Sequence, residues 1–196
     1  MNFSTYKFPN SVPNSNILVL FIDNEDPNTL EPLDIIFEEA LKLAANGISI
    51  HWFRIRPSYR IPLFESTPRP NYLSMIHMHY GYNRIYSVIQ EFCTKTLFIN
   101  ATTCSSIFIE LQENNYLLTN AELVNLLALL ENTANWIASR REIKKQTNII
   151  NTFPVIIFLK NLEQKQKIII SMYTNHALDW KNKNDWKDLF KWPKYK

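Results

Sequence analysis

Glycine is almost missing from this chain: Gly47 and Gly81 are the only two in 196 residues. A backbone can wrap a phosphate closely only where side chains are absent, so this scarcity removes the glycine-rich loops that bind nucleotides. Neither a P-loop nor a dinucleotide fingerprint is present, and turns must be built from Asn, Asp and Pro instead. Cysteine is as scarce, with Cys93 and Cys104 alone. Two thiols cannot complete a zinc site, and their spacing fits no redox motif. Bridged, they would place the protein in an oxidising compartment; free, they would be small core residues. A strong excess of one charge is also lacking. The net charge of +3 is too small and dispersed for an electrostatic footprint on DNA or RNA, which disfavours a nucleic-acid partner. No apolar run approaches the ~18 residues of a membrane span. Residues 1–16 lack the charged-then-apolar order of a signal peptide. The expectation is a cytoplasmic protein, or a periplasmic one if a leader has been removed.

Hydrophobic residues at 46% and charged residues at 20% suffice for one globular domain with an ample core. The expected organisation is a flexible segment over 1–16 and a single domain over 17–196, with an insertion at about 58–118. Ile17–Ile22 is a continuous apolar run suited to a strand buried on both faces. Leu30, Leu33, Ile36, Phe37, Ala40, Leu41 and Leu43 then fall at helical spacing, and Asn46-Gly47 stops the helix. Ile48 to Ile55 reads as a second strand, so the opening is a β-α-β unit of a parallel sheet. Pro57, Pro62, Pro68 and Pro70 predict an irregular excursion. Helical spacing returns over 82–93, and the stretch from Thr96 to Leu111 is expected to be mostly helix. Asn120 is the expected N-cap of a long helix through Leu130 and Trp136. Thr152–Leu159 and Lys167–Ser171, joined by a short polar loop, read as an antiparallel hairpin. A lysine- and tryptophan-rich helix around 185–191 closes the chain.

That order resembles the thioredoxin-like superfamily, and the insertion resembles the bacterial Dsb-type disulfide isomerases and oxidases. Three stretches carry the likeness. They are V-L-F-I-D-N-E-D-P-N-T over Val19–Thr29, A-N-G-I-S-I-H over Ala45–His51, and T-F-P before the apolar run that starts at Val155. The resemblance implies an α/β thioredoxin-like fold with the order β-α-β, helical insertion, α-β-β-α. It further implies a peptide-binding groove made by Asp26, Pro27, Asn28 and Thr29 with Phe153, Pro154 and Val155, where Pro154 matches the family's cis-proline turn. The family's C-x-x-C is replaced by Asp26-Pro27-Asn28-Thr29. These residues suit a helix start through capping and a fixed φ, but supply no thiolate. The implied protein is therefore not an enzyme and acts by binding a protein or peptide, as an accessory component of a larger assembly.

Other chemistry is weaker. A thiol-disulfide role for Cys93 and Cys104 in bacterial secretion or conjugation would need the sulfurs adjacent and one thiol acidic. A receiver-like reading would need an aspartate ending a central strand, and none is visible. His77 and His79 could form half a metal site, but a third ligand from His51 or His176 is not assured, and stacked histidines explain the pair more simply. The expectation is no metal and no cofactor. In the tail, Trp180, Trp186 and Trp192 alternate with lysines, which suits an amphipathic helix docked on its own domain better than a nucleic-acid-binding arm. Oligomeric state is open.

Overall fold

Apolar, β-branched runs form the strands of this protein, and among the described residues all the strands run parallel. A computed structural model describes residues 17–22, 31–57, 68–96, 106–111, 118–143, 155–174 and 176–179. The strands are β1 (Ile17–Ile22), β2 (Ile50–Arg54), β3 (Ile76–Tyr80), β4 (Ser106–Leu111), β5 (Val155–Lys160) and β6 (Ala177–Asp179). They lie side by side in the order β3-β2-β4-β5-β1-β6, each adjacent pair parallel. The helices are α1 (Glu31–Ala45), α2 (Pro70–Leu73), α3 (Ile85–Glu91), α4 (Asn120–Ile143) and α5 (Gln164–Tyr173). The chain is α/β, as its alternation of strands and helices suggests.

Both faces of the sheet are covered, which is why its strands are apolar at successive positions rather than alternating. Ile17, Val19, Phe53, Ile107, Ile109 and Ile157 face α3, α4 and α5. Leu18, Leu20, Ile50, Trp52, Phe108 and Phe158 face α1 through Ile36 and Ala40. α1 stops where expected: Gly47 takes φ +79°, its N–H donates to Ala44 O at 3.0 Å, and Ile48 N–H reaches Leu43 O at 3.0 Å. This paired closure satisfies carbonyls that the helix leaves open. α4 is capped one residue earlier than expected. The Thr119 hydroxyl accepts from Glu122 N–H, and a Glu122 carboxylate oxygen accepts from Thr119 N–H at 2.8 Å, a reciprocal box that leaves Asn120 as the first helical residue.

Three expectations are corrected. The stretch 106–111 is not helix but β4, buried at all six positions, because its β-branched residues lie at the centre of the sheet. Lys167–Ser171 is not the second arm of a hairpin but part of α5, and β5 has only parallel neighbours. Here a capping box between Glu163 and Gln166 and a buried Gln166 side chain donating to Leu118 O at 2.7 Å override the strand propensity of three isoleucines. Finally, the stretch expected as a helical insertion supplies β3, α3 and the central strand β4. The β1-α1-β2 crossover is parallel as expected, but β5 and β4 lie between its two strands. The N-terminal segment and the tail from Trp180 to Lys196 lie outside the described residues.

Candidate functional site

The order of the strands marks one place on this sheet. From β2 the chain crosses outward to β3, whereas from β4 it crosses the other way to β5. Open α/β sheets bind ligands outside the carboxyl ends of such a diverging pair. Here the parallel register sets Arg54, the last residue of β2, opposite Glu110 near the end of β4. Their side chains close on each other. Arg54 Nη2 donates to Glu110 Oε1 at 2.9 Å, and Nε stands 2.9 Å from Oε2, an ion contact without the alignment of a hydrogen bond. The side chains are only 13% and 10% exposed. The mouth of the switch point therefore holds a desolvated ion pair made by the protein with itself.

On the other face of β2 a second polar group assembles. β2 and β3 are in register with His51 beside His77 and Phe53 beside His79, so the two-residue period of a strand puts all three imidazoles on one face. His51 Nδ1 and His79 Nε2 are 2.9 Å apart. That is shorter than any stacking separation, so these near-parallel rings meet edge to edge, one N–H donating to the other's lone pair. The His77 ring lies 4.9 Å from that of His51, His79 stacks on Phe53 at 4.6 Å, and Phe92 covers His51 at 4.6 Å. Burial, and then the neighbouring imidazoles, push His51 down from 6.5 to about 4. Burial and His77 lower His79 as well. At neutral pH the pair is uncharged. Among the described residues no group of three or more His, Cys, Asp and Glu is arranged to hold a metal ion.

The residues singled out from sequence fare unevenly. Val155 is buried at the amino end of β5, opposite Ile17. Asp26, Pro27, Asn28, Thr29, Phe153 and Pro154 lie outside the described residues, as does Cys104. Cys93 is a free, buried thiol. Burial pushes it up to about 12, against a smaller opposing effect from Thr133. A thiol that carries out exchange needs the opposite shift.

His77 and His79 were visible as a pair in the sequence, and the structure adds His51 to them. Arg54 and Glu110 were missed. The signal for Glu110 was an apolar run, S-I-F-I, closed by an acid, which reads as a strand ending in a functional carboxylate once 106–111 is recognised as β. No helix among the described residues is long and apolar enough to cross a membrane. No protein-family model matches the chain, and no curated protein matches it in sequence.

Proposed function

We propose that this protein is a non-catalytic α/β component that works by binding a protein partner. The observation that carries the reading is the Arg54–Glu110 pair. The position where a doubly wound sheet offers its ligand site is filled by two of the chain's own charges, paired with each other. Among the described residues the accessible chemistry elsewhere is equally quiet. Cys93 is buried with its thiol raised to about 12, and His51, His77 and His79 are hydrogen-bonded or stacked among themselves. What the surface does offer is apolar contact area. Ile168 and Met172, one turn apart on α5, are 55% and 72% exposed, and Tyr80 and Tyr82 lie exposed at the end of β3. Methionine and tyrosine are enriched where proteins meet.

The test separates structural from chemical use of the pair. In the double variant R54M/E110L, apolar side chains of similar size fill the same space without charge. Affinity-tagged wild type and variant, purified from cells of the source organism and compared by quantitative mass spectrometry, should retain the same partners in the same amounts. A folded variant that loses its partners, or cells that show loss of function with the partners still bound, would show that the two charges act on a ligand and would overturn the reading.

A further inference from the structure

We propose that the His51–His79 pair is a proton-operated latch that holds the edge strand β3 on the sheet and lets it go in acid. Among the described residues β3 lies at one end of the sheet and pairs with β2 alone, so the contacts across that one ladder decide whether it stays. One of them is the imidazole–imidazole hydrogen bond at 2.9 Å. Its proton count is fixed. In the neutral pair one ring donates and the other accepts; the donor ring keeps a lone pair on its far nitrogen, and the acceptor ring carries its only proton on its own far nitrogen.

A first added proton takes the donor ring's free lone pair. It leaves the bond in place, now charge-assisted and stronger. A second proton has one lone pair left to take, the one the bond uses. The bond then breaks, and two imidazolium N–H groups point at each other across the strand boundary, with the His77 ring 4.9 Å from that of His51. The pair therefore titrates as a unit in two steps, and only the second opens it.

Among the described residues the surroundings provide nothing to offset that second charge. On this face β2 contributes Phe53 and Ile55, β4 contributes Ile107 and Ile109, and the π-helical turn after α3, Phe92–Thr96, contributes Phe92 and Cys93. On that turn Lys95 binds Glu91 at 3.1 Å in solvent. α4 reaches the turn through Thr133 at Cys93. The charges that act on His51 are those of His79 and His77. Arg54 and Glu110 belong to the opposite face and pair with each other there. β3 itself has no other ionisable group on the face it shares with His51.

Hydrogen–deuterium exchange of the full chain, corrected for the chemical rate at each pH, reads the latch directly. Between pH 7.5 and 3 amides of 76–80 should gain at least tenfold in exchange relative to those of 155–160, with the gain coming below about pH 4. H79F retains a ring to stack on Phe53 and cannot accept a proton, so its exchange at 76–80 should stay flat over the same range. A wild-type profile that rises equally in β3 and β5, or an H79F profile that rises like wild type, overturns the proposal. If H79F does not fold, nitrogen-15 spectra of the wild-type imidazoles decide. Two separated steps, with the N–H···N bond kept through the first, support the latch. Independent titration of both rings near the ordinary 6.5 overturns it.

Discussion

Replacing Glu110 by Gln removes one charge of the switch-point pair and keeps the shape of the other side chain. The guanidinium of Arg54 then remains where it was, 13% exposed, without its carboxylate. Breaking a buried pair from one side costs about 3–5 kcal/mol, because the cost is the stranded charge rather than the lost attraction. In a chain of this length each kcal/mol corresponds to about 2–4 °C in Tm, so E110Q should melt about 6–20 °C below wild type. R54M should fall in the same range for the mirror reason. The double variant R54M/E110L removes both charges of the pair together, and should return to within about 1 kcal/mol of wild type. Differential scanning calorimetry and urea titrations followed by circular dichroism measure all four proteins, and the single variant E110L closes a double-mutant cycle with R54M and R54M/E110L. If E110Q costs less than about 1 kcal/mol, or if the double variant is as unstable as the singles, the pair is not the closed internal plug described above.

Three other outcomes follow from local geometry. His51 lies near 4 in the folded chain against 6.5 when unfolded, so the unfolded chain takes up its proton first. Its contribution to stability is full above pH 6.5, declines as pH falls towards 4, and is gone below that. A fully buried imidazole would lose about 3 kcal/mol this way, and the partial exposure of the cluster screens it to roughly 1–2 kcal/mol; urea midpoints of wild type should therefore drop more between pH 7 and 4.5 than those of H51F. With its thiol pushed up to about 12, Cys93 in a C104S background should react with Ellman's reagent at pH 8 at least about a hundredfold more slowly than in urea, and comparable rates would refute its burial. A Cβ added at Gly81 would fall 2.4 Å from Ile85 Cα, so G81A should cost about 1–3 kcal/mol in urea unfolding, and a neutral result would show that β3 and α3 part more easily than their packing implies.

The legible parts of this fold were those where local and tertiary preferences agree. β1 and β2 are apolar runs bounded by turn residues, and α1 combines a single apolar face with an Asn-Gly stop, so each could be read from its own residues. The misread parts are those where burial overrides propensity. Ile168, Ile169 and Ile170 prefer a strand, but Glu163 and Gln166 cap each other and Gln166 reaches Leu118, ties that a local pattern does not reveal. Once that helix was mistaken for a strand, parallel β5 became half of a hairpin and the thioredoxin-like order followed. The histidines illustrate a related limit. His77 and His79 share a face in any extended segment, whereas bringing His51 to them requires the register of β2 against β3. Arg54 and Glu110 are separated by |i−j|=56, and only the order of the strands makes them neighbours.

β1 is the first strand to be synthesised, yet both its neighbours, β5 and β6, come from the last quarter of the chain. Ile17 must wait for Val155 before it has a ladder partner, and its carbonyl finds the Thr174 hydroxyl later still, at 2.6 Å. A ribosome adding about 5–20 residues per second leaves that strand, all aliphatic and aromatic, uncovered for on the order of ten seconds. During that interval β2, β3 and β4 can already pair, so assembly starts from the β3 side and the oldest residues are inserted last. Nascent chains arrested before residue 155 should therefore present 17–22 to trigger-factor-type or Hsp70-type chaperones, and release of that contact should coincide with the emergence of β5.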